Sequence, residues 1–479
     1  MDAYNSDTLT PLQRSSLKKD QDQSKLKEWI KTLDGKEHVA RCQKELEQHK
    51  DVPIKIAVIG QSRVGKSTFI NKFRGFLDER GRPLNRENPH YAKVGLTQTT
   101  LSVKEYTFED NNSIKLVDLP GAGTPEFPIN EYEEMMNFKQ YDAFIIITAN
   151  TFYENDMIIS KKIKKLKKPY FFARTKIDID LQSYEEEMQE DFTIDAWNEE
   201  CENKIKKECV TNLKDLEHDI YLLSKMNYKK VELEDGSKCL VEFKDNQRLL
   251  TDILESLDEI QSTSLLFQLR SSFEAVILLK SNALHKRIWK VALTSASGAA
   301  IPLPGTSLGI DMCLFTYEVN FQKRQLGLDN GSLKRNANLI NKKPDEFIEI
   351  VVERLTQPSS PGMATHSLGK FYKACLSNGG DSKTIYKQFL AMAPTMIVQG
   401  AALGGVAIAS EAIETGLKVA IPVVGSLICS AISGCSTYRI LHGMLQTHYK
   451  IALACNEVVK DHIIADDEKM RRRSKTCLF

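Results

Sequence analysis

The sequence predicts an α/β fold, a mostly parallel sheet with helices between its strands, followed by an all-helical region. Three observations lead there. Short apolar, largely β-branched or aromatic runs recur in the first half, at Ile54–Ile59, Ile114–Asp118, Asp142–Thr148, Pro169–Arg174 and Asp219–Leu223. Runs of that length without polar alternation suit strands buried on both faces. The first run leads directly into Gly60-Gln61-Ser62-Arg63-Val64-Gly65-Lys66-Ser67, and the residues after it carry a helical period with no breaker. Beyond residue 260 the strand signals stop and helical spacing takes over.

The glycine-framed turn has the form GxxxxGK[ST], a phosphate-binding P-loop. Gly60 and Gly65 permit the backbone angles that let the amides of Gln61, Ser62, Arg63 and Val64 curl round a polyphosphate. The helix starting near Lys66 and running on through Thr68 adds its positive dipole end. Lys66 is placed to reach the β- and γ-phosphates, and the Ser67 hydroxyl to ligate Mg2+. Asp118 closes the next apolar strand about fifty residues on and opens Asp118-Leu119-Pro120-Gly121. An acid there holds Mg2+ through water, and the Gly121 amide meets the γ-phosphate. Gly121–Asn130, with Gly123, Pro125 and Pro128, has no periodicity and reads as a mobile switch loop.

The base is read farther along. The strand Pro169–Arg174 runs into Thr175-Lys176-Ile177-Asp178. A carboxylate at Asp178 accepts both guanine N1–H and N2–H, whereas adenine offers no matching pair of donors. The Lys176 stem lies along the base plane. Asn is commoner where Thr175 stands, so some support from that position is expected to be lost. The strand ending at Leu223 delivers Ser224-Lys225, where a backbone N–H can meet guanine O6. The order of these pieces favours GTP over ATP. Between P-loop and second strand, Val94-Gly95-Leu96-Thr97-Gln98-Thr99-Thr100 should supply a threonine that closes over Mg2+ and the γ-phosphate. Thr97, Thr99 and Thr100 are not separated by spacing. We carry Thr100 forward as the metal and catalytic candidate beside Lys66, with Gln98 as a candidate for ordering water.

With these motifs in place, the chain resembles the immunity-related (interferon-inducible) GTPases, from about residue 24 to 465. The carriers are Phe69-Ile70-Asn71 after the P-loop, Asp118-Leu119-Pro120-Gly121-Ala122-Gly123 with Phe127-Pro128, and Tyr141–Ile147. Further carriers are Phe171–Asp180 with its Arg174-Thr175-Lys176-Ile177-Asp178 variant, Tyr221–Ser224, Gln325–Asp329 with Ser332-Leu333, and the paired Ile301–Gly305 and Ile421–Gly425 stretches. The resemblance implies a Ras-like P-loop G domain joined to an α-helical domain built from N- and C-terminal segments. It also implies GTP-dependent self-assembly on intracellular membranes, often around pathogens, by a cytoplasmic, peripherally attached protein. One branch of that family has Met at the P-loop lysine. Lys66 places this chain with the branch expected to bind GTP and assemble. Two departures stand out: a family Thr-Gly is here Val94-Gly95, and a switch glutamate is here Gln98.

The expected division is a disordered tail at 1–23, an N-terminal helical segment at 24–50, the G domain at 51–260, the helical domain at 261–465 and a basic tail at 466–479. At 479 residues and 42% hydrophobic, the chain can bury two cores. A net charge of +1 argues against general electrostatic binding to nucleic acid. Ten cysteines without CxxC spacing, and no signal peptide, read as reduced cytosolic thiols. Helical spacing marks Leu265–Lys290, Phe347–Leu355, Leu368–Leu376 and Tyr438–Val459. Ala391–Ser410 and Val419–Cys435 are long enough for a membrane hairpin. Their Ala, Gly and Ser content and their prolines favour close-packed helices with a membrane-touching face instead. The lysines of 161–168 read as a solvated helix face, and Arg471–Arg473, Lys475 and Cys477 as a solvated tail rather than a lipidated anchor.

A Ras-like enzyme places a water-orienting glutamine directly after Gly121, and Ala122 has no polar group. Slow intrinsic turnover is therefore expected, with assembly supplying the missing help. The rival reading is a GTP-gated scaffold or membrane-trafficking switch with negligible hydrolysis.

Overall fold

In the computed structural model of the chain, the described residues are 46–94, 102–211, 213, 219–232, 238–299, 306–356, 364–376 and 438–463. The expectations placed on both tails, most of the N-terminal helical segment, the 95–101 switch with Thr97, Gln98, Thr99 and Thr100, the Ile301–Gly305 and Ile421–Gly425 stretches, and the two small-residue segments of 391–435 lie outside them. Two compact units emerge, one built on Gln48–Leu279 and one on Lys280–Val458.

The first unit is organised by a sheet whose strands are β1 (Ile54–Ile59), β2 (Lys104–Phe108), β3 (Asn111–Asp118), β4 (Ala143–Thr148), β5 (Tyr170–Arg174) and β6 (Ile220–Leu222). Their order is β2-β3-β1-β4-β5-β6. All neighbours run parallel except β2, which pairs antiparallel with β3 at the edge. Every residue of β4 is buried, as a strand covered by helices on both faces requires. The β1–β3 register sets Val58 beside Asp118, and Leu119 N–H continues the ladder to Val58 O at 3.0 Å. The P-loop and the Asp118 turn therefore leave the same end of adjacent strands.

Around the sheet lie α1 (Lys66–Phe73), the short α2 (Tyr132–Met135), α3 (Glu154–Lys165), α4 (Ile177–Met188), α5 (Ile194–Glu200), α6 (Lys206–Thr211), α7 (Asp245–Ser256) and α8 (Glu259–Gln268). A hairpin of β7 (Tyr228–Glu232) and β8 (Lys238–Glu242) sits between the Ser224-Lys225 loop and α7. The sequence reading missed this hairpin and β2. YKKVE, KCLVE and KEYTF mix charged with apolar residues and lack the continuous apolar run by which the buried strands were found.

Two other expectations change. Leu265–Lys290 is not one helix: it breaks at Leu269–Phe273 between α8 and α9 (Glu274–Ala299). There Leu269 is extended, and the Arg270 guanidinium donates to Leu77 O at 3.1 Å and sits 3.7 Å from Glu79. The lysine run is only partly solvated. Lys162 reaches Ile129 O at 3.1 Å and Asn130 O at 2.8 Å, clamping the Gly121–Asn130 loop, while Lys161, Lys164, Lys165 and Lys167 stay exposed.

The second unit is helical throughout its described residues, with α10 (Thr306–Gln325), α11 (Asn330–Leu339), α12 (Pro344–Thr356), α13 (Ala364–Leu376) and the helical stretch 438–458 beside the later part of α9. Phe347, Val351, Phe371, Leu441, Met444 and Leu445 are fully buried. A polar string crosses this core. Arg287 pairs with Glu318 at 2.9 Å and lies over the Phe321 ring, and the buried His448 Nδ1 is 3.2 Å from Gln322 Oε1. Among the described residues, no helix is long and apolar enough to cross a membrane.

Candidate functional site

The turn from β1 into α1 is shaped by its glycines. A Cβ on Gly60 would lie 2.3 Å from Ile147 O, a contact no side chain tolerates. Gly65 sits at φ +99° as the N-cap of α1, in the left-handed region that glycine occupies most readily. Gln61, Ser62 and Arg63 are exposed around the turn, and Ser67 and Thr68 are half-buried in the first turn of α1. Lys66 is only 6% exposed, and its Nζ donates to Gly60 O at 2.8 Å and Gln61 O at 3.0 Å. Its amine also stands 3.9 Å from Asp118 Oδ1. Burial lowers the Lys66 pKa, and the Asp118 charge opposes that shift.

Gly121 comes back onto the P-loop. A Cβ there would lie 3.6 Å from Gln61 Cα and 3.7 Å from Gly60 O. The buried Tyr132 hydroxyl donates to Pro120 O at 2.6 Å and fixes the turn that delivers Gly121. Ala122 packs against the core of the unit, and its methyl group offers no hydrogen bond to a water. The available metal ligands are hard oxygens, the Ser67 hydroxyl and the Asp118 carboxylate. Such a donor set suits Mg2+, which keeps water and phosphate oxygens in its remaining positions.

Thr175, Lys176 and Asp178 follow β5. The Thr175 amide donates to Thr148 O at 2.9 Å, and its hydroxyl reaches Val64 O of the P-loop as well as Thr148 O at 3.2 Å. The threonine hydroxyl is long enough to tie the turn after β5 to the turn after β1 because the two pack directly together, with Thr175 Oγ1 only 3.3 Å from where a Gly65 Cβ would stand. Lys176 takes a left-handed φ of 66° and turns the chain into α4. Asp178, in the first turn of α4, is 9% exposed. It accepts from the Ser224 hydroxyl at 3.1 Å and lies 3.8 Å from Lys225 Nζ. A cavity of about 230 Å³ runs beside these residues, lined by Gly65, Thr68, Lys176, Asp178, Ser224 and Lys225 and by the apolar side chains of Phe69, Phe73, Leu249 and Phe273.

The described candidates thus gather into two clusters bridged by Thr175: Gly60–Thr68 with Asp118 and Gly121, and Lys176, Asp178, Ser224 and Lys225. The family's sequence model, Interferon-inducible GTPase (IIGP), matches residues 21–359. The chain belongs to the interferon-inducible GTPase family. As a member it is an enzyme that binds and hydrolyses GTP. The T-cell-specific guanine nucleotide triphosphate-binding protein 2 of Mus musculus is 31% identical over 313 residues, covering 64% of this chain and 69% of that protein. Interferon-inducible GTPase 1 of Mus musculus is 28% identical over 332 residues, covering 68% and 74%. Interferon-inducible GTPase 5 of Bos taurus is 24% identical over 399 residues, covering 82% and 72%.

Several polar residues around this GTPase site carried no motif. Asn71, buried in α1, exchanges two 2.8 Å hydrogen bonds with Ala92 and holds the chain just before the 95–101 switch. Lys72 donates to Asn227 Oδ1, and burial lowers its pKa to about 8. Asn246 binds the loop after β6. A lone asparagine or lysine in a helix gives no periodic or spacing signal. Only Asn71 stood in a stretch singled out by sequence, and it was quoted as a family carrier without a role.

Proposed function

We propose that the chain hydrolyses the β–γ bond of GTP by water attack and self-assembles, GTP-bound, on intracellular membranes in cell-autonomous immunity. The observation that carries the reading is the convergence of Lys66, Asp118 and Gly121 on one glycine turn, with Asp178 and Ser224-Lys225 a hydroxyl's reach away. The P-loop amides and Lys66 neutralise the phosphoryl oxygens as charge develops on them. Ser67, Asp118 and one threonine of 97–100 would hold Mg2+, which would supply further charge neutralisation on the triphosphate. Asp178 takes the two guanine N–H donors. The Ser224 amide already donates to Asn246 Oδ1 at 3.2 Å, which leaves O6 to the Lys225 amide.

Ala122 offers the attacking water no hydrogen bond, so an isolated molecule turns over slowly. Association face to face across the nucleotide adds the missing group, with Gln98 ordering the water. Phosphate release per molecule should therefore rise with protein concentration and with added liposomes, in step with light scattering. Turnover that stays flat over a hundredfold range of concentration would reject assembly-linked hydrolysis. The apolar packing of Ala122 also favours a second reading of what slow turnover serves, a GTP-gated scaffold or trafficking switch in which hydrolysis only resets the bound state. Scattering that rises with GTP while phosphate release stays at its basal rate would select it.

A further inference from the structure

We propose that Asn246, on the first turn of α7, is a positioning residue for guanine specificity, holding the Ser224-Lys225 loop so that its amide meets O6. This rests on the guanine reading of the site. The Asn246 carboxamide makes three hydrogen bonds to one loop: Nδ2 donates to Ser224 O at 3.0 Å and to Met226 O at 2.8 Å, and Oδ1 accepts from Ser224 N–H at 3.2 Å. Only one orientation of the amide satisfies all three. A carboxylate lacks the donors, and a hydroxyl has one proton for two carbonyls. Asn246 lines the same cavity as Asp178, Ser224 and Lys225.

The loop needs holding because β6 ends at Leu222 and the chain leaves the sheet there for the β7–β8 hairpin. Without the carboxamide the remaining ties run through the side chains of Ser224 and Lys225 or hold the loop at its two edges, Leu223 and Asn227. The Ser224 hydroxyl donates to Asp178 and accepts from Met226 N–H at 3.0 Å, and Asn227 is held by Lys72, by Glu79 O at 2.8 Å and by Phe243 N–H at 3.0 Å. None of these fixes the carbonyls of Ser224 and Met226 on either side of Lys225. Asp178, by contrast, is anchored in α4 and keeps its place when the loop shifts.

The separation of roles gives the test. 6-Thioguanosine triphosphate keeps both N–H donors and replaces only O6 with a poor acceptor, whereas inosine triphosphate keeps O6 and loses the N2 amino group. Affinities for GTP and these two analogues are measured by displacement of a fluorescent guanine nucleotide from the full chain and its Asn246→Asp and Asn246→Ala variants. The expected result is at least about tenfold weaker GTP binding in both variants, Asn246→Asp losing the two donated hydrogen bonds and Asn246→Ala all three. Preference for GTP over the 6-thio analogue falls toward unity, and preference for GTP over inosine triphosphate is unchanged. A purely structural role would weaken all three nucleotides in proportion, and that outcome overturns the proposal, as does wild-type discrimination in both variants. Should the aspartate variant not fold, the alanine variant, which removes the donors without adding charge, decides alone. If the unmodified protein itself does not prefer GTP over ATP, the guanine reading has failed rather than the role of Asn246.

Discussion

Replacing Thr175 with valine isolates the bond that joins the two halves of the nucleotide site. Valine has the shape of threonine and leaves no cavity, but it removes the hydroxyl that donates to Val64 O. Thr148 O keeps its bond from the Thr175 amide at 2.9 Å, so Val64 O is the group that loses its side-chain donor. A buried carbonyl deprived of its donor costs about 1–3 kcal/mol. If half of that falls on nucleotide binding, release accelerates about two- to tenfold, since about 1.4 kcal/mol is a factor of ten. The remainder appears as a lower melting temperature of the nucleotide-free protein. Stopped-flow displacement of a fluorescent GDP analogue measures the first quantity and calorimetric melting the second. Thr175→Ser, which keeps the hydroxyl, should restore both. Release and melting in Thr175→Val both indistinguishable from wild type would refute the argument that this hydroxyl substitutes for the commoner asparagine.

Other expectations follow from single side chains. Lys66→Ala removes the only P-loop ammonium, and GTP affinity and GTP-driven light scattering should both collapse; scattering like that of the wild type would take the nucleotide switch out of the account. His448 is fully buried, and burial together with Lys323 lowers its pKa to about 3, below the usual value near 6.5. The unfolded chain then binds a proton that the folded chain refuses, so its contribution to stability is full above pH 6.5. It is lost as pH falls toward 3, at up to about 1.4 kcal/mol per pH unit. Urea unfolding from pH 7 to pH 4 should show this slope, and His448→Gln should flatten it; equal slopes would place the titration elsewhere. Lys72 behaves in the opposite window. Its folded pKa of about 8 lies below the ordinary lysine value of 10.5, so the cost of burying its charge is present below pH 8 and relieved between pH 8 and 10.5. Lys72→Met should abolish that rise in stability, measured by the same unfolding curves.

The sheet was legible where physics leaves one solution. Strands buried on both faces must be apolar, and β4 and β6 announce themselves that way, as do the apolar stretches within β1, β3 and β5. β2 and the β7–β8 hairpin do not, because Lys and Glu are mixed among their apolar residues and no continuous apolar run marks them. The phosphate turn was legible for a similar reason. Only glycine fits at position 60 against Ile147 O, and Gly65 takes a left-handed φ, so the motif survives as letters. The tie from the Thr175 hydroxyl to Val64 O is not legible in the sequence, since its reach depends on how closely Gly65 packs. The braces formed by Lys72, Asn227 and Asn246 left no trace, and Asn71 showed only as a letter of Phe69-Ile70-Asn71, as each is a polar residue whose partner is set by tertiary folding. The break at Leu269–Phe273 was hidden because apolar spacing continues across it, while Arg270 diverts the chain toward Leu77 and Glu79.

The central claim is that one pocket neutralises a triphosphate at Lys66 and reads guanine at Asp178. Titration calorimetry of the wild type and Asp178→Asn with GTP and XTP, magnesium present, tests it most directly. Xanthine carries O2 where guanine has its amino group, so the wild type should bind GTP and the variant should prefer XTP. A folded wild type that gives no heat with GTP, or a variant that keeps the original preference, would contradict the account.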